Sequence, residues 1–237
     1  MKAKHYDEGK HSVSFWDGFH RLVNDNKLLP RLIGASAAWF LMDFAYYGNT
    51  VSSPLVLEAL GGHDSLLHRT LTQLLIFVIF AAPGYAVAAL TMDRLGRKTI
   101  QVLGFVMMTL SFLTMALVPG LEKKAIPFVI IYGISFFFTE FGPNATTFVY
   151  PSEIFPVRVR TTGHGIAAAM GKLGGFFGVF AFPFLMKWRG LLSAESAAAI
   201  VSALGAVTTI FLLPETKGKS LEELSAEPET PAERLAA

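Results

Sequence analysis

The sequence contains no cysteine, which excludes disulfide scaffolds, zinc–thiolate sites and thiol nucleophiles. It is also poor in charge. Asp, Glu, Lys and Arg make up 16% of the 237 residues, against about 25% in soluble domains. The first thirty residues are polar and lack a long apolar run, so no cleavable signal peptide is expected there. There is no glycine-rich phosphate loop, no His-Glu-x-x-His pair and no nucleophile–base set. Cofactors, a metal site and enzymatic activity are therefore not expected. The formal net charge is only +2, and the basic residues are not interleaved with aromatics on any surface-like stretch, which argues against nucleic acid as a partner.

What the chain does have is apolar bulk: 52% of its residues are hydrophobic and 13% aromatic. The few charges are segregated. None lies between Arg69 and Asp93, between Lys98 and Glu122, or between Glu195 and Glu215, and each gap can cross a hydrocarbon core of about 30 Å as a helix. The pattern predicts an all-α, polytopic membrane protein with six helices, over 31–56, 70–92, 99–119, 125–150, 161–187 and 195–213. Its organisation reads as a polar segment 1–30, a six-helix body 31–214 and a charged tail 215–237. The loops after the first, third and fifth helices hold five basic residues, Arg69, Lys123, Lys124, Lys187 and Arg189. The other side holds thirteen: six up to Arg31, then Arg94, Arg97, Lys98, Arg158, Arg160, Lys217 and Lys219. The excess of positive charge on the cytoplasmic side of membrane proteins places both termini in the cytoplasm of a multi-pass cell-membrane protein. Residues 14–23 carry Phe15, Trp16, Phe19, Leu22 and Val23 on one helical face, as a short amphipathic helix on the membrane surface would, with Ser14 as its cap.

Asp43 stands in the middle of the first apolar span, where a carboxylate costs several kcal/mol unless it meets a partner or a water-filled cavity. Trp39, Asp43 and Tyr47 recur at i, i+4 and i+8, so one helix face carries an indole N–H, a carboxyl and a phenol. Such a stripe is either a substrate or ion site or a structural acid satisfied by neighbouring helices. Helix breakers interrupt other spans at Pro83-Gly84, Pro143 and Pro183. Gly171, Gly174, Gly175 and Gly178 form two overlapping G-x-x-x-G patterns, which favour close helix packing.

The loop Asp93-Arg94-Leu-Gly96-Arg97-Lys98 combines a turn glycine with an acid and three bases, a set that can latch helix ends together. At these residues the chain resembles the major facilitator superfamily, whose loops carry D-R-x-G-R-[KR]. Pro151-Ser-Glu153-Ile-Phe-Pro156-Val-Arg158-Val-Arg160 resembles the P-x-E-x-x-P-x-x-x-R signature of its sugar-porter-like members, and Pro214-Glu215-Thr-Lys-Gly218 resembles their P-E-T-K-G motif. The resemblance implies cytoplasmic gating by Glu153 and Glu215 against Arg94, Arg97, Arg158 or Arg160. Within the superfamily the chain is most similar to the phosphate:proton symporters. Trp39-x-x-x-Asp43-x-x-x-Tyr47 matches their seventh helix, Phe141-Gly-Pro-Asn144-Ala-Thr-Thr-Phe148 their tenth, and His164-Gly-Ile-Ala-Ala-Ala-Met-Gly-Lys172 their eleventh. The resemblance implies that Trp39, Asp43, Tyr47, Asn144 and Lys172 line a phosphate site, with Asp43 coupling substrate to protons.

One position departs from that pattern. Glu140 stands one turn before Asn144 where the family usually carries Asn, so a second acid, expected to pair with Lys172 or carry a proton, adjoins an anion site. The resemblance covers only the second half of a twelve-helix transporter. It implies a bilayer environment, a small anion and protons as ligands, and a partner N-terminal half. Sugar or organic-acid:proton symport stays open beside phosphate symport, as does a non-transporting membrane subunit that binds another six-helix protein.

Overall fold

The computed structural model describes residues 14–51, 53, 66–219 and 223–224. Most of these residues are helical, with no strand among them. Helix α1 (Phe15–Asn24) is followed by α2 (Leu28–Val51), α3 (Leu66–Ile76), α4 (Ala82–Leu95), α5 (Arg97–Leu117), α6 (Ala125–Thr139), α7 (Ala145–Ile154), α8 (Val157–Arg189) and α9 (Leu191–Leu212). A widened turn, Phe77–Ala81, joins α3 to α4, and another, Glu140–Asn144, joins α6 to α7. Counting each joined pair once, six spans are long and apolar enough to cross a membrane.

The spans run further than hydropathy alone indicates. Helix α8 starts at Val157 rather than 161 and takes in Arg158 and Arg160; α4 continues to Leu95 through Asp93 and Arg94. Charged side chains at a helix end reach water without unwinding the backbone. The connections are correspondingly short. A single glycine joins α4 to α5 and another joins α8 to α9, Gly96 at φ 95° and Gly190 at φ 62°, conformations that cost a residue with a Cβ. The predicted extension of the first span to 56 lies outside the described residues beyond Ser53.

Packing follows the small residues. Helix α2 lies along α8, and α9 fills the space between α2 and α5. At Gly174 and Gly178 a Cβ would strike the backbone carbonyls of Phe40 and Phe44 on α2, so the two G-x-x-x-G patterns serve close approach. Of the three helix breakers, Pro183 sits inside an unbroken α8. Pro143 belongs to the turn in which Gly142 leaves helical geometry, at φ −100° and ψ −111°. The α1 helix forms as expected, and Leu22 and Gly18 face inward on α8 while Phe15 and Trp16 stay exposed. The Ser14 side chain makes no capping bond; its carbonyl accepts the first ordinary helical bond, from Gly18 N–H at 2.9 Å.

Candidate functional site

Two clusters contain the residues singled out above. The first lies midway along the spans. Asp43 on α2 is buried, and its Oδ2 accepts from Lys172 Nζ on α8 at 3.4 Å. The two partners differ in surroundings: the Asp43 side chain is 3% exposed and that of Lys172 is 63% exposed. The Lys172 ammonium also stands 5.2 Å from the centre of the Tyr47 ring, within cation–π range. Tyr47, Lys172, Gly175, Phe176, Val179 and Phe180 line a groove of about 410 Å³. Trp39 is buried one turn before Asp43, packed edge-on against Phe148 (4.6 Å) and His164 (5.7 Å). Its indole N–H completes no hydrogen bond, although it lies within electrostatic reach of the Asp43 carboxylate. The indole N–H is thus directed toward the Asp43 carboxylate without closing a full hydrogen bond.

Glu140 and Asn144 lie across the cluster on the widened turn, and the side-chain amide of Asn144 donates to Glu140 Oε2 at 2.5 Å. Tyr46 on α2 and Tyr85 on α4 are within electrostatic reach of the same carboxyl. Lys172 therefore pairs with Asp43 and not with Glu140, contrary to the pairing suggested by sequence. The reason is topological: α2 and α8 are packed face to face along their small residues, whereas Glu140 is held on the far side of α2's tyrosine pair.

The second cluster lies at the end of the bundle where α4 meets α5. Arg97 is its centre. Its Nε donates to Glu153 Oε1 at 3.0 Å, its Nη2 reaches the same oxygen at 2.9 Å, and its Nη1 meets Asp93 Oδ1 at 2.8 Å. Glu153 also accepts from the Thr216 hydroxyl at 2.6 Å. Glu215 accepts from three backbone N–H groups, those of Arg97 (3.0 Å), Thr216 (2.9 Å) and Lys217 (3.1 Å). Gly96 makes room for this: a Cβ there would come within 2.5 Å of the Glu215 carboxylate. The structure thus brings Asp93, Gly96, Arg97, Glu153 and Glu215 together. Arg160 lines the same cavity as Asp93, Arg97 and Glu153 and donates to the Phe155 carbonyl at 3.1 Å, while Arg94 and Arg158 are exposed.

Sequence reasoning passed over Glu195. It stands at the edge of a charge-free run and read as a boundary residue, yet it is fully buried in α9, where Asn49 Nδ2 donates to it at 3.3 Å. The available signal was its setting among Ala and Ser, residues typical of a tightly packed helix face.

The family model described as "Sugar (and other) transporter" matches residues 1–227. The chain is 41% identical over 211 residues to "Probable inorganic phosphate transporter 1-6" of Arabidopsis thaliana, covering 84% of this chain and 40% of that protein. It is 39% identical over 230 residues to "Inorganic phosphate transporter 1-6" of Oryza sativa subsp. japonica, covering 85% and 42%. It is 37% identical over 231 residues to a "Repressible high-affinity phosphate permease" of Neurospora crassa, covering 90% and 40%. The chain spans about two fifths of the length of these relatives. Among solved structures its fold is similar to that of the major facilitator superfamily proton:xylose symporter XylE, at a TM-score of 0.69 and 23% identity, over 81% of this chain and 42% of the other.

Proposed function

The chain belongs to the sugar (and other) transporter family and carries half of a major facilitator fold, and from that footing we propose that it is the C-terminal half of a proton-coupled inorganic phosphate symporter. The observation that carries the reading is the unequal pair Asp43–Lys172, with its cation exposed and its acid buried. A second six-helix half would cover the exposed face and enclose Lys172 with whatever anion it holds. In that low-dielectric site phosphate competes with Asp43 for the ammonium. Once Lys172 turns to phosphate, Asp43 has lost its cation, and a proton is the group that neutralises it. The neutral acid donates a hydrogen bond where the anion repelled. Substrate and proton then favour each other's binding, which is the coupling a symporter needs. Trp39 and Tyr47 supply further donors, and Asn144 contributes from the opposite wall with Glu140 as a second proton-carrying group. The names of the relatives favour phosphate over a sugar as the substrate.

At the other end, Asp93, Gly96, Arg97, Glu153 and Glu215 act as a gating latch, with Arg94, Arg158 and Arg160 supplying the positive charge that holds this end in the cytoplasm. Segment 1–30 lies on that side, 31–214 spans the membrane and 215–237 returns to the cytoplasm.

The test is uptake into proteoliposomes containing this chain and the half that completes it. Lys172→Gln is expected to weaken phosphate binding by roughly 2–5 kcal/mol, the cost of removing one partner of an enclosed charge pair. Asp43→Asn should abolish accumulation driven by a pH gradient while retaining binding, because the amide still donates. Phosphate binding by Lys172→Gln within about tenfold of wild type, roughly 1.4 kcal/mol, would refute the direct anion role. Accumulation of a sugar with indifference to phosphate would refute the substrate.

A further inference from the structure

Two rows of side chains run from the midplane cluster to the Arg97 latch. On α7 and the turn before it, Asn144, Phe148 and Ser152 recur every four residues. On α8, Lys172, His164 and Arg160 stand at multiples of four. Residues so spaced follow one side of a helix. The rows touch: Ser152 Oγ and His164 Nδ1 share a hydrogen bond at 3.3 Å. Both rows also press on Trp39, through the rings of Phe148 and His164. From Lys172 to Arg160 is twelve residues, about 18 Å along the helix.

At the latch end the rows open on a cavity of about 780 Å³, ample for a small hydrated anion. Phe148, Ser152, Arg160, Thr216 and Lys219 line it, together with the latch residues Asp93, Arg97 and Glu153. Arg97 holds both of those acids, and Glu153 takes the Thr216 hydroxyl as well. Arg160 and Lys219 bring two further cations from separate elements, and Ser152 brings a hydroxyl. Cationic donors beside a hydroxyl are the groups that receive an oxyanion. Phe148 borders both places, since it lines the cavity and packs on Trp39 at 4.6 Å.

We propose that this cavity is a second oxyanion site, with Arg160, Lys219 and Ser152 as its donors, where phosphate halts between Lys172 and the water at the latch end. No bond is made or broken. The inference rests on the reading of Lys172 as the midplane anion site and adds the stop beyond it. A path carries an ion when each stop is favourable enough to enter and weak enough to leave. Lys219 is exposed, so water and salt screen its attraction, and this site is the weaker of the two.

Equilibrium binding of radiolabelled inorganic phosphate to the purified chain in phosphatidylcholine nanodiscs tests it. Lys172→Gln serves as the background, because it removes the midplane cation. Weak binding should persist in that background and fall about tenfold on adding Arg160→Gln, roughly 1.4 kcal/mol. Adding Arg189→Gln, an equal loss of charge at the other end of α8, should change nothing. Should Arg160→Gln lose its fold with its bond to the Phe155 carbonyl, Lys219→Gln on the exposed side chain replaces it and should also weaken binding. Phosphate binding abolished outright by Lys172→Gln would overturn the second site and leave the midplane reading intact. Residual binding indifferent to Arg160→Gln and Lys219→Gln would overturn its placement. A wild type that binds no phosphate would refute that anion at both sites. Nanodiscs containing phosphatidic acid separate the free anion from a lipid headgroup of the same chemistry: unchanged phosphate binding keeps the free anion, and its displacement would give the cavity to the headgroup and overturn the path.

Discussion

Glu153→Gln removes the charge on which the Arg97 cluster converges, and the structure sets the size of the effect. Glu153 receives the Nε and Nη2 groups of Arg97 at 3.0 and 2.9 Å, and both side chains are only 16% exposed. Hydrogen bonds to charged groups contribute about 1.5–3 kcal/mol each. The glutamine keeps one oxygen for Arg97 and one polar group for Thr216, so only part of that sum is lost; about 2 kcal/mol is the expected cost. Asp93 meets the same guanidinium at 2.8 Å but is 87% exposed, and exposed pairs contribute about 0–1 kcal/mol. Asp93→Asn should therefore cost no more than about 0.5 kcal/mol after screening. Arg97→Lys should resemble Glu153→Gln, because an ammonium cannot offer the paired donors of a guanidinium. The assay is thermal unfolding of the purified chain in one detergent, followed by tryptophan fluorescence at a fixed scan rate. A loss of about 2 kcal/mol corresponds to roughly 4–8 °C for a chain of this size. If Asp93→Asn lowered the midpoint as much as Glu153→Gln, burial would not be what gives the Glu153 pair its weight, and the reasoning would fail.

Two further predictions concern packing and orientation. Gly174→Ala should destabilise the chain by about 1–3 kcal/mol, since its methyl meets the Phe40 backbone, which cannot rotate away. Gly165→Ala on the same helix meets nothing within 4 Å and should be neutral or stabilise by up to about 1 kcal/mol. Thermal midpoints of the pair decide whether close approach or helix propensity governs α8. Because native cysteine is absent, Lys123→Cys should react with a membrane-impermeant thiol reagent on intact cells and Arg94→Cys should not; the reverse pattern would invert the proposed topology.

The six spans were legible because long charge-free stretches leave a chain few alternatives. Their ends were not, since Arg158, Arg160, Asp93 and Arg94 continue a helix into water as readily as they end it. The stripe Trp39-Asp43-Tyr47 was legible from helical periodicity within one segment. Its partner was harder: Asp43 and Lys172 are far apart in the chain, and only the packing of α2 on α8 decides that Lys172 meets Asp43 instead of Glu140. The motifs around Arg97 named the right neighbourhood without saying which of four arginines would pair with Glu153, or that Glu215 would take backbone N–H groups instead of a guanidinium. Glu195 stayed hidden because a single charge beside an apolar run looks the same whether it ends the run or is buried in it.

The departure from helical geometry at Gly142 gives the fourth span the mechanics of a lever. Each helical residue adds about 1.5 Å, so Glu153 lies roughly 16 Å along the arm from the pivot. A swing of about 10° about Gly142 moves the tip by close to 3 Å on that geometry, comparable to the whole length of the hydrogen bonds joining Glu153 to Arg97. On that geometry a displacement of a few tenths of an ångström beside Glu140 and Asn144 would be multiplied several-fold by the time it reached Glu153.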